Sequence, residues 1–249
     1  MLTRTANPVI NTIFSAKSQS WTYTEEMTIT GTVNKTGFLL ILVLLTASWV
    51  WSQFLTGGTS AVMPFMIGGA IIGLIAGLVT MFKQQWAHIT APIYALAQGL
   101  FLGGISSTFE AMYPGIVIQS VGLTFGTLFC LLAAYRSGMI QATEKFKLGV
   151  VSATGAIGIV YLISFILGLF GVNMSLINGN GLFSVGLSLV IVVIAALNLV
   201  LDFDMIETGA RQGAPKYMEW VGAFGLMVTL IWLYVEILRL LSKLRDRRD

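Results

Sequence analysis

The sequence predicts an all-α integral membrane protein, folded as a bundle of seven transmembrane helices. Three observations lead to this prediction. Of the 249 residues, 56% are hydrophobic and only 10% are charged, whereas a soluble domain carries about 25% charged residues. Seven separate stretches are apolar and long enough to cross a bilayer, which takes about 20 mostly apolar residues. The 27 glycines fit the same class, because small residues let membrane helices approach closely.

Short segments with turn signals separate the seven predicted spans. Glycine, proline or charged residues occur in the junctions, as in "YPG" at 113–115 and "NGNG" at 178–181. The spans cover residues 37–55, 61–82, 90–110, 114–135, 148–170, 182–208 and 216–241. The chain is thereby divided into a polar N-terminal arm (1–36), a transmembrane domain (37–243) and a basic tail (244–249).

The distribution of lysine and arginine predicts the orientation. The N-terminal arm and the junctions after the second, fourth and sixth spans carry nine of these residues, and the other three junctions carry none. The positive-inside rule therefore predicts a cytoplasmic N-terminus. Seven crossings put the five lysines and arginines of 239–249 outside, against the rule. Either this end is an exception or the last segment does not fully cross, and the length of 216–241 favours a crossing.

The second span carries Gly69, Gly73 and Gly77 at four-residue spacing. Residues four apart lie on one face of a helix. This stripe predicts a close contact with a neighbouring helix, which is the usual role of such glycines in membranes.

Carboxylates enter the sixth span without a helix breaker, in "LDFDMIE" at 201–207. Gly209 is the first residue that favours a helix end, so the helix is predicted to continue to Thr208. Pro215 suits the first position of the next helix, which predicts a tight cytoplasmic turn over 209–214. Counting equally from both sides of that turn places Asp202 level with Val221 and Gly222.

Asp202 is predicted to lie about 9 Å inside the end of its helix, on the same face as Asn198. An ionisable residue inside a membrane helix usually faces the bundle interior and marks a pathway or relay. Desolvation and neighbouring like charges both favour the protonated form of a carboxyl group. Asp202 is therefore predicted to be a buried pH sensor and, with oxygen ligands around it, the candidate ligand for Ca²⁺.

Three more carboxylates belong to the same helical hairpin: Asp204, Glu207 and Glu219. For these, we expect exposure to the cytoplasm and ion pairs with the basic residues of the turn, Arg211 and Lys216. The alternative is that they line an ion pathway together with Asp202.

Two further glutamates are predicted near the outer ends of spans. Glu236 shares a helix face with Arg239 and Lys243. A local ion pair and an outer carboxylate on a cation pathway both remain open for Glu236. Glu110, near the end of the third span, is predicted to be interfacial, with an outer mouth formed with Glu236 as the alternative.

Four stretches resemble a known family. They are "LDFDMIE" at 201–207, "GAPKYMEWVGAFGLMVTLIWLYVEILRLL" at 213–241, "APIYALAQGLFLGGIS" at 91–106 and "YPGIVIQSVGLTFGT" at 113–127. The sequence is similar here to the Bax inhibitor family, in its bacterial YccA-like branch. The resemblance implies a seven-helix bundle with the last helix at its centre, in a bacterial inner membrane. It also implies a pH-sensitive cation leak, chiefly for Ca²⁺, gated by two aspartates in the last two helices.

Only part of the family pattern carries over. Asp202 matches the aspartate of the sixth span, whereas the other aspartate corresponds to Thr229 in "MVTLIW". A glutamate often found in the third span of the family is Gln98 here. We therefore expect this chain to switch differently from members that carry both aspartates.

The sequence favours a transport function over catalysis. It has no HExxH zinc motif, no P-loop and no nucleophile paired with its one histidine, so we predict neither an enzyme nor a resident cofactor, with Ca²⁺ as the one candidate ion. The net charge of +3 reflects membrane topology rather than nucleic-acid binding. The predicted partners are the lipid bilayer and cations. The alternative is a non-conducting protein that modulates membrane proteases or stress-response partners.

Overall fold

The protein is mainly helical in the part that the computed structural model describes, residues 25–171, 179 and 181–247. A single bridge between Glu26 and Pro215 is the only β-type pairing in that part. The helices are α1 (Ile29–Phe82), a short 3₁₀ helix (Gln84–Trp86), α2 (Ala87–Met112), α3 (Ile116–Arg136), α4 (Glu144–Leu169), α5 (Leu182–Arg211) and α6 (Met218–Asp246). Six of them are long and apolar enough to cross a membrane. The all-α membrane class is thereby confirmed.

α1 folds back on itself at Gly58. This residue has φ 66° and ψ −161°, a conformation that is essentially limited to glycine. A straight helix would separate Trp49 and Phe65 by about 24 Å, yet their ring centroids lie 4.9 Å apart. The two halves of α1 correspond to the predicted spans 37–55 and 61–82. Counting them as separate crossings gives seven, a number that stays a prediction.

The glycine stripe on the C-terminal half of α1 faces α2, as its spacing predicts. A Cβ atom on Gly69 would lie 2.5 Å from the carbonyl oxygen of Ala97, and one on Gly73 would lie 2.6 Å from Nε2 of Gln98. Such distances leave no room for a side chain, so the two backbones approach closely because these positions are glycine.

α6 lies among the other helices. It contacts α1, α2, α3 and α5, and its Glu236 also reaches Tyr161 of α4. Met227 belongs to an apolar cluster with α1 and α2. Leu230 and Leu233 belong to a second cluster with α5. Within the described helices, the last one is therefore in contact with every other.

The last helix runs between opposite ends of the bundle. Near its start, Glu219 accepts a hydrogen bond from the backbone N–H of Thr28, just before α1. Near its end, Arg245 donates to the carbonyl oxygen of Pro114, in the junction before α3. Lys243 donates to Ser184, at the start of α5. This geometry fits a last segment that crosses completely, whereas the side on which its basic end lies stays a prediction.

The predicted N-terminal arm of 1–36 extends too far. α1 begins at Ile29, where Thr28 caps it by accepting a hydrogen bond from the N–H of Gly31 at 2.9 Å. Hydropathy missed residues 29–36 because polar residues outnumber apolar ones there, while the fold supplies the cap. Residues 1–24 of the arm lie outside the described part. The predicted tail of 244–249 is likewise helical up to Asp246.

The predicted turn between the last two helices is also displaced. α5 continues past Thr208 to Arg211, and α6 begins at Met218 rather than at Pro215. Gly209 is helical, and the left-handed backbone that ends the helix is found at Gly213, with φ 65°. Both Gly209 and Gly213 could adopt the left-handed conformation, and Gly213 is the one that does.

Candidate functional site

Asp202 lies where α5 meets α6. Its Oδ2 atom is buried and has no hydrogen-bond partner among the described residues. The side chain of Thr229 lies near the carboxyl group. Gly225 leaves space beside Oδ1, since a Cβ atom there would lie 3.6 Å from it. Asp202 is thus half-buried as a residue, with one carboxylate oxygen buried and unsatisfied; its role as a pH sensor stays a prediction.

The level of Asp202 along α6 was predicted wrongly. Gly222 lies opposite Ile206 rather than Asp202, and Gly225 and Thr229 take the predicted places of Val221 and Gly222. The displacement follows from the turn, whose centre lies farther along the chain than 209–214. As a result, Thr229, which the resemblance aligns with a second aspartate, lies near Asp202.

Asn198 points toward α4. Its Nδ2 atom donates to Oγ1 of Thr154 and to the carbonyl oxygen of Ile194, both at 2.8 Å. Asn198 therefore connects α5 to α4, one turn deeper than Asp202. Asn198 and Asp202 are one turn apart on α5, but Asn198 bonds to α4, whereas Asp202 lies at the contact with α6.

Asp204 and Glu207 pair with cations at the end of the bundle. The Asp204 carboxylate lies 2.8 Å from Nζ of Lys147, at the start of α4. Glu207 pairs with Arg211 and accepts a hydrogen bond from the hydroxyl group of Tyr135 at 2.6 Å. Their charges are thus balanced locally, in contrast to that of Asp202.

Glu219 differs from its predicted exposure, because its side chain is 0% exposed. It accepts hydrogen bonds from the N–H of Thr28 at 2.9 Å and from its hydroxyl group at 2.8 Å. Lys35 of α1 forms the main ion pair, and Lys216 lies 3.5 Å away. A Cβ atom on Gly31 would overlap the carboxylate. Burial at 0% exposure requires such compensation of the charge.

Lys35 and Thr28 are residues that the sequence did not indicate for this site. They lie some 190 positions from Glu219, in the segment taken for a polar arm. The backbone N–H of Met27 also donates to the carbonyl oxygen of Ala214 at 2.7 Å. The start of α1 is thereby fastened to the turn between α5 and α6.

Glu236 belongs to a polar cluster toward the other end of α6. The carboxylate is 2% exposed, and its Oε1 accepts a hydrogen bond from the hydroxyl group of Tyr161 at 2.8 Å. Arg239 donates to the same hydroxyl at 2.9 Å and lies 3.5 Å from Oε1. Oε2 is buried without a partner in the described part of the chain. The expected local ion pair is present, although a neighbouring helix contributes to it.

Glu110 and Gln98 have structural partners. Glu110 accepts the backbone N–H groups of Gly115 at 2.5 Å and Val117 at 3.0 Å, and so caps the start of α3. A carboxylate is favourable there, because a helix N-terminus carries free N–H groups and partial positive charge. Gln98 packs against Gly73. The suggested outer mouth formed by Glu110 and Glu236 stays a prediction.

The carboxylates do not assemble into a metal site. Over 25–171, 179 and 181–247, no three or more Asp, Glu, His or Cys residues are grouped so that they could hold an ion. Asp202 therefore offers a single carboxylate next to a hydroxyl group. Stable binding of Ca²⁺ takes six to eight oxygen ligands.

The sequence matches a family model along nearly its whole length. Residues 7–246 correspond to the family described as Bax inhibitor 1 like. No solved structure matches the chain. The matched region includes every helix described above and the buried carboxyl group at the α5–α6 contact. The chain is therefore a member of the Bax inhibitor family of membrane proteins.

Proposed function

We propose that this protein is a pH-sensitive passive leak for cations, chiefly Ca²⁺, gated by protonation of Asp202. The observation that carries the proposal is the buried Oδ2 atom without a partner at the α5–α6 contact. Other carboxylates of the described residues are paired with cations or N–H groups, as Asp204 and Glu110 are. Glu236 also has an oxygen without a partner, but Arg239 lies beside it. A buried carboxyl group with an unsatisfied oxygen is a weak structural element and a good candidate for a switch.

The proposed gate depends on the free-energy cost of an ionised Asp202 in the apolar contact between α5 and α6. When Asp202 is protonated, the packed arrangement of α5 and α6 contains no net charge at this point. When it ionises, the packed arrangement must hold an uncompensated carboxylate, because no described cation pairs with Asp202 and the hydroxyl group of Thr229 is its neutral neighbour. Ionisation therefore favours an arrangement in which water or a cation reaches the group. We expect α5 and α6 to separate and the flux to rise as pH increases.

The closed state is sealed by apolar side chains. Glu236 lies seven residues beyond Thr229 on the same face of α6, about 10 Å farther along the axis. Leu233, which is 0% exposed, lies between them and packs into the cluster with α5. A cation that passes from Asp202 toward Glu236 must displace this cluster. Weak contact with one carboxylate at a time would let the ion leave again.

The membrane setting completes the proposal. The two antiparallel halves of α1 and helices α2 to α6 are taken as seven crossings of a bacterial inner membrane, with a cytoplasmic N-terminus. Asp202 is then nearer the cytoplasmic end and Glu236 nearer the outer one. Passive Ca²⁺ release of this kind would serve a stress response without ATP or a resident cofactor.

The decisive experiment is Ca²⁺ flux from liposomes between about pH 5 and 8, a range in which perturbed carboxyl groups titrate. Wild type should show flux that increases with pH. Asp202→Asn keeps the size of the side chain but fixes it in a neutral state, so flux should be low and independent of pH. Asp204→Asn is the matched control, the same change two residues away on a group paired with Lys147, and it should retain the pH dependence.

A second variant tests the contact between α5 and α6. Thr229→Asp places a second carboxyl group within reach of Asp202. Two close carboxyl groups share a proton, because both cannot ionise at low cost. The flux transition should therefore move to higher pH. An unchanged profile in both Asp202→Asn and Thr229→Asp would exclude the gate, and absence of flux from wild type at every pH would favour the non-conducting modulator.

A further inference from the structure

An apolar groove of about 370 Å³ lies between four helices: the N-terminal half of α1, α2, α3 and α6. The hydroxyl groups of Ser106 and Tyr234 line it and are bonded to each other at 2.7 Å. Thr124, also in the wall, donates to the carbonyl oxygen of Ser120 at 2.7 Å. These polar groups are satisfied within the protein. The groove therefore suits hydrocarbon rather than a polar solute.

The length of the groove corresponds to one leaflet of a bilayer. Its lining on α1 runs from Leu40 to Trp51, which is about 16 Å along the helix axis. On α3 the lining runs from Val117 to Phe125, or about 12 Å. Half of a hydrocarbon core is about 15 Å thick. An acyl chain that lies parallel to the helices would thus be accommodated from its head-group end to its tip.

On α1, α3 and α6 alike, the lining residues extend from the Gly58 end of the bundle toward its middle. Trp51, Val117 and Tyr234 lie toward the end of the bundle that carries Gly58. The lining residues farthest from that end on α1, α3 and α6 are Leu40, Phe125 and Met227. The groove therefore belongs to the leaflet opposite the Glu219 end, with its inner tip near the middle of the membrane.

The groove is open sideways, toward the bilayer. Leu44 in its wall is 62% exposed, and Ser48 beside it is exposed as well. In a membrane, hydrocarbon chains of lipids are the molecules that meet such an opening. We propose that the groove holds one acyl chain of a membrane phospholipid, drawn from the leaflet at the Gly58 end.

This binding site is separate from the proposed cation gate. Met227 and Tyr234 are seven residues apart and share one face of α6. Thr229 points about 200° away from Met227, toward Asp202. The acyl chain would touch α6 from the side opposite the gate. The proposal consequently stands whether or not the protein conducts cations.

A photoreactive lipid tests the proposal. Wild type is reconstituted in vesicles of phosphatidylethanolamine and phosphatidylglycerol with a trace of phosphatidylcholine that carries a diazirine on one acyl chain. Labelled residues are then located by mass spectrometry. With the diazirine near the head group, labelling should concentrate around Trp51 and Val117. With the diazirine at the chain tip, it should move to Leu40 and Met227. Labelling spread over the exposed apolar faces, or in the reverse order, would overturn the proposal.

Two tryptophan variants on α3 provide a matched comparison. Val121→Trp fills the groove from its wall, whereas Leu123→Trp introduces the same residue at a side chain that is 50% exposed outside it. Val121→Trp should reduce groove labelling roughly tenfold, the loss expected when about two buried methylene groups are displaced. Leu123→Trp should leave labelling unchanged. Equal labelling in both folded variants would refute the proposal, and the depth order in wild type decides it if Val121→Trp does not fold.

Discussion

Lys35→Met should destabilise the protein, because it leaves the buried Glu219 carboxylate without its main counter-ion. Glu219 is 0% exposed and Lys35 is 20% exposed. Removal of one partner from a fully buried ion pair costs about 3–5 kcal/mol. Here the cost is reduced, since water reaches the ammonium group, and since Glu219 keeps both hydrogen bonds from Thr28 and a contact with Lys216 at 3.5 Å. We expect a loss of about 2 kcal/mol.

The assay is the free energy of unfolding in detergent micelles, measured by denaturant titration. Lys83→Met is the matched control: Lys83 is exposed at the end of α1 and has no ion pair among the described residues. It should change stability by less than about 0.5 kcal/mol. Glu219→Gln combined with Lys35→Met removes the uncompensated charge, so the two changes should couple by about 1 kcal/mol or more. Additive effects, or a Lys35→Met variant as stable as the control, would refute the role of this pair.

Three further outcomes can be measured on the same chain. Glu110→Gln should lower the free energy of unfolding by about 1 kcal/mol, because the cap of α3 loses its charge and one acceptor oxygen; unchanged stability would mean that the cap contributes nothing. Tyr161→Phe should cost about 1–2 kcal/mol, since it removes the hydroxyl group that joins the carboxylate and guanidinium of α6; a smaller loss than for Glu110→Gln would contradict this. In a Cys130→Ala background, Gln85→Cys and Leu244→Cys, both at exposed positions, should react with an impermeant maleimide from opposite sides of the membrane. Labelling from the same side would show that the last helix does not cross.

The sequence by itself determined the class of protein and the position of the helices within it. Hydropathy and length locate the apolar segments, because a bilayer admits only backbone whose polar groups are satisfied internally. The glycine spacing at 69–77 predicted a close contact with a neighbouring helix, because the small residues that such a contact needs lie on one face of a single helix. The continuation of the sixth predicted span past Asp202 could also be predicted, since nothing in 199–208 ends the helix.

Partners between helices were decided only by the tertiary structure. The pairing of Glu219 with Lys35 joins residues 184 positions apart, and no local pattern could indicate it. The contact of Thr229 with Asp202 depended on whether Gly209 or Gly213 turned left-handed, and both glycines allow that conformation at similar cost. The sequence determines which residues carry a charge and which can adopt the left-handed backbone of a turn. The packed bundle selects among them, because the helices must fit together in one register and every buried charge there needs a partner or a proton.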